Sequence, residues 1–545
     1  MLPRRVIMAI GTRTTSPTED HPLDAQHDTP EDVETQARAS AGPRPGANES
    51  QLSPRRLWIG RVLGPVLAVM TYVLLPVDAD LSNPARTTAA VAVLVAVWWM
   101  TEALPLATTA LVPLVAFPLL GVLEMEDAAA PYASPTVFLF MGGFMIALAM
   151  QKWNLHKRIA LHAMRIVGTK PRQIVLGVMI ATWFLSMWVS NTATTLMMIP
   201  IGISVLALVG TGDGSEESRK NVRNFGVCLI LAIAYAATIG GTSTLIGSPP
   251  NLIMAGFVEQ NYGFSISFAD WMKIGVPLSA VFLAIAWVLL TRVFYPTKIA
   301  EIAGGRQVIQ SELSKLGRMS RGEWNVLVIF VGTAALWVFR EQITGFEPLT
   351  SALPFMANLS DASIAIAAAV ALFLIPTSFR RAEGTLDWRT AQAGIPWGVL
   401  LLFGGGLSLA KAVQDTELST YIGIKVGELG GLPTVLLIAA ICLVVLLLTE
   451  LTSNTATAAT FLPVLGGVAV GLGLDPLLLL VPAAIAATCS FMLPVGTPPN
   501  AIIFGTGRVT MGQMIRAGFW LNLIGVVLIT GAVMLLGAWA MGISF

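Results

Sequence analysis

The chain has 545 residues; 55% are hydrophobic, only 12% are charged, and the net charge is +1. A soluble domain carries about 25% charged residues, so the composition excludes an ordinary water-soluble enzyme; the net charge says little about partners, and no nucleic-acid partner is expected. Cys228, Cys442 and Cys489 lie in apolar segments, with no metal-ligand spacing and no implied disulfide framework. Histidine occurs only at 21, 27, 156 and 162, away from the polar motifs described below, which excludes histidine chemistry there.

In chain order, residues 1–54 are polar and rich in Pro, Ser, Thr, Asp and Glu, which predicts a disordered tail. Arg4-Arg5 is followed by an apolar run too short for a signal peptide. Asn48-Glu-Ser50 matches a glycosylation sequon, which a cytoplasmic tail would not use. Transmembrane helices are expected at 57–76, 86–104, 105–122, 135–150, 225–258, 273–296, 324–341, 361–377, 396–411, 476–506 and 515–541. Trp98-Trp99 reads as an interfacial belt. Segments 151–168 and 411–428 read as amphipathic helices lying at the membrane surface.

Two further apolar stretches, 173–209 and 433–471, carry polar knots near their middles. Each could be one long span or a hairpin that enters and leaves on one side. Charge favours hairpins. With eleven spans, two hairpins and the N-terminus inside, all but five of the 33 Lys and Arg are cytoplasmic; Arg86, Lys273, Arg340, Lys411 and Lys425 remain outside. A single span at 173–209 would instead expose Arg219, Lys220, Arg223 and Arg380-Arg381. Five spans separate the hairpins, so the second opens on the other face, and the C-terminus lies outside.

The knots are copies. Ser186-Met-Trp-Val-Ser190-Asn191-Thr192 matches Thr449-Glu-Leu-Thr-Ser453-Asn454-Thr455 (453 − 190 = 263). The same offset joins Phe140 to Phe403 and Pro200 to Pro463. Gly247-Ser248-Pro249-Pro250-Asn251 then matches Gly496-Thr497-Pro498-Pro499-Asn500 (497 − 248 = 249), the shorter offset reflecting a polar loop at about 211–224. Duplicated polar breaks at membrane depth point to a secondary transporter. Proline forbids a continuous helix, glycine allows close backbone approach, and hydroxyls, amides and free carbonyls suit a hard cation beside an anion. A single Ser-Asn-Thr would read as helix–helix glue; two copies in register, each followed by its own break, do not. No Lys or Arg lies in these motifs, so an anion there must be balanced by helix dipoles and bound cations. Glu450 stands beside Thr449, where it could tune a cation site, carry a proton or bond a hairpin backbone; Glu102 reads as a helix-end residue. The spans lack His and paired acids, which disfavours an intramembrane enzyme, and no nucleotide-binding loop suggests a pump.

Over residues 57–545 these paired motifs resemble the divalent anion/sodium symporter family. The resemblance implies an all-α polytopic membrane protein with about eleven transmembrane helices plus two re-entrant hairpins in an inverted repeat. It also implies an elevator-type homodimer with scaffold helices at 55–134 and 273–395. The transport units would be 135–272 and 396–514, with a C-terminal helix at 515–545. It implies one Na⁺ at Ser186, Ser190, Asn191 and the backbone of Gly247, and another at Thr449, Thr452, Asn454 and the backbone of Gly496. Substrate carboxylates would meet Ser190, Asn191, Thr192, Ser248 and Pro249 from one half and Ser453, Asn454, Thr455, Thr497 and Pro498 from the other. The intact second Ser-Asn-Thr goes with C4-dicarboxylates in this family, with no cofactor beyond Na⁺ as coupling ion. Citrate or sulfate transport, or Na⁺-independent exchange, are the alternatives. The setting implied is the bacterial cytoplasmic membrane.

Overall fold

The computed structural model describes residues 54–76, 81–168, 170–209, 215–296, 299, 305–378, 383–427 and 433–545. The readings placed on Arg4-Arg5, the Asn48 sequon, the tail up to residue 53 and Arg380-Arg381 fall outside these residues. The described chain is almost wholly helical. One small antiparallel pair, Pro376–Ser378 with Glu383–Gly384, interrupts the all-α pattern after the helix Asp361–Leu374. Eight helices among the described residues are long and apolar enough to cross a bilayer, and shorter apolar helices accompany them.

The duplication organises the helices into two series of seven. The first is α1 (Pro135–Lys152), α2 (Leu155–Val167), α3 (Pro171–Ser186), α4 (Asn191–Ala207), α5 (Glu216–Gly241), α6 (Pro249–Tyr262) and α7 (Phe268–Val288). The second is α8 (Trp397–Asp415), α9 (Leu418–Gly427), α10 (Thr434–Thr449), α11 (Asn454–Gly471), α12 (Leu477–Thr488), α13 (Pro498–Gly505) and α14 (Met511–Met541). The correspondence reaches backbone detail. Asn154 between α1 and α2 has φ 54°, and Glu417 between α8 and α9 has φ 59° (417 − 154 = 263). Both are left-handed turns that a non-glycine residue adopts reluctantly.

The centre is built from α5 and α12. Every residue from Val227 to Gly241 and from Leu477 to Phe491 is buried. Helices α3 and α4 pack on α5, and α10 and α11 pack on α12. The halves interlock, since α4 and α5 touch α13 while α6 touches α11 and α12. Outside this body, α1 runs along Asp361–Leu374, where Gly142 approaches the Ala365 backbone so closely that a Cβ would sit 2.7 Å from its carbonyl carbon. The helix Pro54–Leu74 packs on Asn83–Thr101 and turns Trp58, Val62, Val69 and Val73 outward, as a lipid-facing helix does.

Several sequence expectations change in detail. Trp99 is fully buried and donates to Leu106 O, so it is core rather than belt. The segment 105–122 forms two short helices, Leu106–Thr109 directly after Pro105 and Val112–Leu119 beginning one residue before Pro113. The polar stretch near 211–224 is largely helical from Glu216, because Ser215 caps the helix by accepting from the Ser218 N–H. Arg219, Lys220 and Arg223 therefore ride on the first turns of α5. Lys411 to Asp415 belong to α8, so the second surface helix begins at Leu418.

Candidate functional site

Both Ser-Asn-Thr knots are helix breaks. After Ser186 the chain leaves α3, and Ser190 caps α4 by accepting from the Ala193 N–H at 3.3 Å. After Thr449 it leaves α10 and re-enters at Asn454. In each break the preceding hydroxyl donates to the asparagine carbonyl oxygen: Ser186 Oγ to Asn191 Oδ1 and Thr449 Oγ1 to Asn454 Oδ1, both 2.6 Å. That bond fixes which way each amide points. Asn454 Nδ2 then reaches Thr488 O at 3.2 Å, and Thr449 Oγ1 also lies 2.8 Å from Ala487 O. Asn191 lies against Gly241, where a Cβ would come within 2.7 Å of both amide atoms. Thr452 bonds Leu448 O and the Thr457 hydroxyl.

The second pair of breaks follows α5 and α12. Asn251 Nδ2 donates to Gly241 O and Thr244 O, both at 2.9 Å. Asn500 Nδ2 donates to Ser490 O at 3.2 Å and Leu493 O at 3.1 Å. All three positions shift by 249, so the same clamp closes each broken helix. Gly247 is needed because a Cβ there would lie 2.7 Å from Gly241 O; at Gly496 it would fall 2.0 Å from Ser490 Oγ. Beside these clamps the breaks touch the tips: the Thr244 hydroxyl donates to Met187 O, and Ala487 O and Thr488 O accept from Thr449 and Asn454.

The two halves meet where Thr488 Oγ1 donates to Ser248 Oγ at 3.1 Å, both buried. Ser190, Asn191, Thr192, Ser453, Asn454 and Thr455 are half-buried, and Ser248 and Thr497 nearly wholly so. Pro249 is half-buried, whereas Pro498 is exposed.

Donors for an anion come from a different place than proline-started helices suggest. Prolines occupy the first two positions of α6 and α13, which removes two N–H groups from each, and the next ones turn to Ser248 O and Thr497 Oγ1. The tips supply them instead. Among the described residues, the N–H groups of Asn191 and Thr192, and of Asn454, Thr455 and Ala456, have no partner. Each set opens a helix, so each carries the positive end of a dipole. The chemistry offered is a neutral hydroxyl–amide–carbonyl cage with two helix N-termini. No cluster of three His, Cys, Asp or Glu occurs among the described residues.

Sequence reasoning quoted Asn251 and Asn500 within their motifs but gave them no role. It missed Gly241, Thr488 and Ser490. Thr488 had no repeat signal, since Ile239 holds the matching position.

An all-α bundle of apolar helices with interlocked polar breaks defines a polytopic membrane transporter. A family model described as "Sodium:sulfate symporter transmembrane region" matches residues 56–543. The chain belongs to this family, that of the divalent anion/sodium symporters. It is 42% identical over 487 residues to the sodium-dependent dicarboxylate transporter SdcS of Staphylococcus saprophyticus, covering 89% of this chain and 92% of that protein. It is 42% identical over 472 residues to SdcS of Staphylococcus aureus strain USA300, covering 86% and 89%. In fold it is similar to MtrF of Neisseria gonorrhoeae, with TM-score 0.55 and 12% identity over 89% of this chain and 95% of that one. It is likewise similar to the YdaH transporter of Alcanivorax borkumensis, with TM-score 0.54 and 13% identity over 90% and 99%.

Proposed function

We propose that the chain imports C4-dicarboxylates such as succinate, malate and fumarate, coupled to Na⁺. The observation that carries this reading is the pair of hydroxyl–amide tips, each ending in a helix N-terminus and each seated on a clamped break. The likeness to relatives named sodium-dependent dicarboxylate transporters supports it. A dianion in such a site meets dipoles but no cationic side chain, so bound Na⁺ is its main counter-charge in a low-dielectric pocket. One cation would be held by Ser186, Ser190, Asn191 and the Gly247 backbone, the other by Thr449, Thr452, Asn454 and the Gly496 backbone. Substrate would lie between, against Ser190 to Thr192, Ser248 and Pro249 on one side and Ser453 to Thr455, Thr497 and Pro498 on the other.

The same reading takes α3–α4 and α10–α11 as re-entrant hairpins opening on opposite faces, in a homodimer whose interlocked body moves past the remaining helices in a bacterial cytoplasmic membrane. The N-terminus lies inside and the C-terminus outside. The first arm is tied to the stationary helices by Lys152–Asp387, Lys157–Glu312 and Arg158–Glu323. The deciding experiment is uptake of radiolabelled succinate, citrate and sulfate into proteoliposomes with a Na⁺ or a K⁺ gradient. Succinate uptake driven by Na⁺ alone is expected. Equal uptake in K⁺ identifies an exchanger, and a preference for citrate or sulfate moves the substrate.

A further inference from the structure

Within the duplicated breaks, one difference between the halves places a carboxyl beside the second cation cage. Position 187 is Met, and its partner at 450 is Glu; position 279 is Ser, and its partner at 522 is Asn (522 − 279 = 243, the offset that also pairs Gly275 with Gly518). In the first half the break residues Thr242 to Thr244 carry hydroxyls. Ser243 Oγ lies 2.7 Å from Ser279 Oγ, and Thr244 Oγ1 donates to Met187 O. In the second half the matching residues are Phe491, Met492 and Leu493, which have no side-chain polar group. Glu450 takes over. Its Oε1 accepts from the N–H groups of Phe491 and Met492 at 2.7 and 2.9 Å and from Asn522 Nδ2 at 2.7 Å; its Oε2 accepts from Leu493 N–H at 2.9 Å.

Glu450 is 3% exposed, and none of the ion pairs among the described residues involves it. Oε2 lies 3.1 Å from where a Cβ on Gly496 would stand. All four of its partners are N–H donors, the arrangement suited to a carboxylate. A buried carboxyl group held by four N–H donors therefore stands behind the wall of one cation cage, where the other has Met187.

We propose that Glu450 makes the two cation sites unequal: the second binds Na⁺ more tightly and fills first, before substrate, while the first fills together with the dianion. Glu450 touches neither ligand in this arrangement. It is a positioning residue that holds the Phe491–Leu493 backbone and adds its field to the cage of Thr449, Thr452, Asn454 and Gly496. The proposal rests on the Na⁺-coupled reading above.

The test is equilibrium binding of ²²Na⁺ to the purified full chain without substrate, alongside Na⁺-dependent succinate uptake. Glu450→Gln is expected to raise the half-saturating Na⁺ concentration by about tenfold or more. It should also erase the extra thermal stability that Na⁺ confers over K⁺. A Glu450 that only braces the fold would lower the melting temperature equally in both salts and leave the Na⁺ curve in place, which overturns the proposal. Thr449→Ala and Ser186→Ala test the order with Glu450 intact, and they decide if Glu450→Gln does not fold. Loss of high-affinity substrate-free Na⁺ binding in Thr449→Ala and its survival in Ser186→Ala support the order; the reverse overturns it. Succinate uptake by the wild type that is equal in Na⁺ and K⁺ takes down the coupled-import reading as well. Intact coupling with an unchanged Glu450→Gln curve takes down this proposal alone.

Discussion

The asparagines that close the breaks show how much a single side chain carries. Asn500 Nδ2 is the donor to Ser490 O and adds a second to Leu493 O, which the Gly496 N–H also reaches; Asn251 does the same for Gly241 O and for Thr244 O, which the Gly247 N–H also reaches. Leaving a buried carbonyl without a donor costs about 1–3 kcal/mol. Asn500→Leu and Asn251→Leu are each expected to lower the melting temperature measurably and to abolish uptake, although the proposed ligand contacts include neither residue. Full uptake by either variant would show that the clamp is dispensable. Gly241→Ala is expected to act differently. The added Cβ pushes the end of the Asn191 side chain, which can swing, so stability should change little while Na⁺ and succinate affinities fall together. At this scale the sequence disclosed positions better than roles. The Gly-hydroxyl-Pro-Pro-Asn doublet announced two breaks because proline and glycine act locally. Asn251 was silent because its partners, ten and seven residues upstream, depend on how the break folds.

Among the elements, α2 shows a working attachment. Arg158 bonds Glu323 at 2.6 Å and also donates to Gly317 O and Leu316 O, with both charged side chains largely buried. Removing one partner of such a pair strands the other, at about 3–5 kcal/mol. Arg158→Met is expected to destabilise the protein and slow transport, and Arg158→Met combined with Glu323→Gln to recover much of the stability. Strict additivity in that cycle would mean the pair is not coupled. The outer two pins are more exposed and weaker, about 0–1 kcal/mol each. The Thr390 hydroxyl and then Lys152 hold the Asp387 carboxyl well below its usual range, and hydrogen bonds from Lys315 and Lys157 lower that of Glu312. For carboxyls shifted down, the stabilisation is fully present above about pH 4 and is lost as pH falls below it. The contribution of these pins to stability and uptake should therefore not change with pH around neutrality and should fade only in acid. Helix existence was legible in the sequence because apolar runs and Ser/Thr-Pro starts are local signals. The extent of α5 was not, because a capping serine carried the helix into a charged segment. The left-handed turn at Glu417 moved the start of α9 for the same kind of reason.

For the molecule as a whole, the proposed coupling has a thermodynamic signature. Na⁺ must raise succinate affinity by the same factor by which succinate raises Na⁺ affinity, typically about 5–150-fold. Titrating succinate binding at several Na⁺ concentrations, with K⁺ holding ionic strength constant, reads the factor; identical affinity in Na⁺ and K⁺ removes the coupling. Asn191→Ala and Asn454→Ala should each weaken both ligands, whereas Ser186→Ala should act mainly through Na⁺. The duplicated architecture was visible from the two offsets alone, since repeats survive as sequence. The interlock was not, because no local pattern says that α4 lies against α13 or that α6 lies against α11.

That interlock, which includes the hydroxyl bridge from Thr488 to Ser248, would leave neither of the proposed cages with a body of its own. Helix α13 of the second half packs on α4 and α5, and α6 of the first half packs on α11 and α12. A carrier whose sites sat on separate lobes could let one lobe travel while its neighbour stayed behind, and ions would leak without cargo. In the proposed cycle any journey would carry both cages or neither, so resistance to slippage would come from the cross-stitching of the halves rather than from a separate gate.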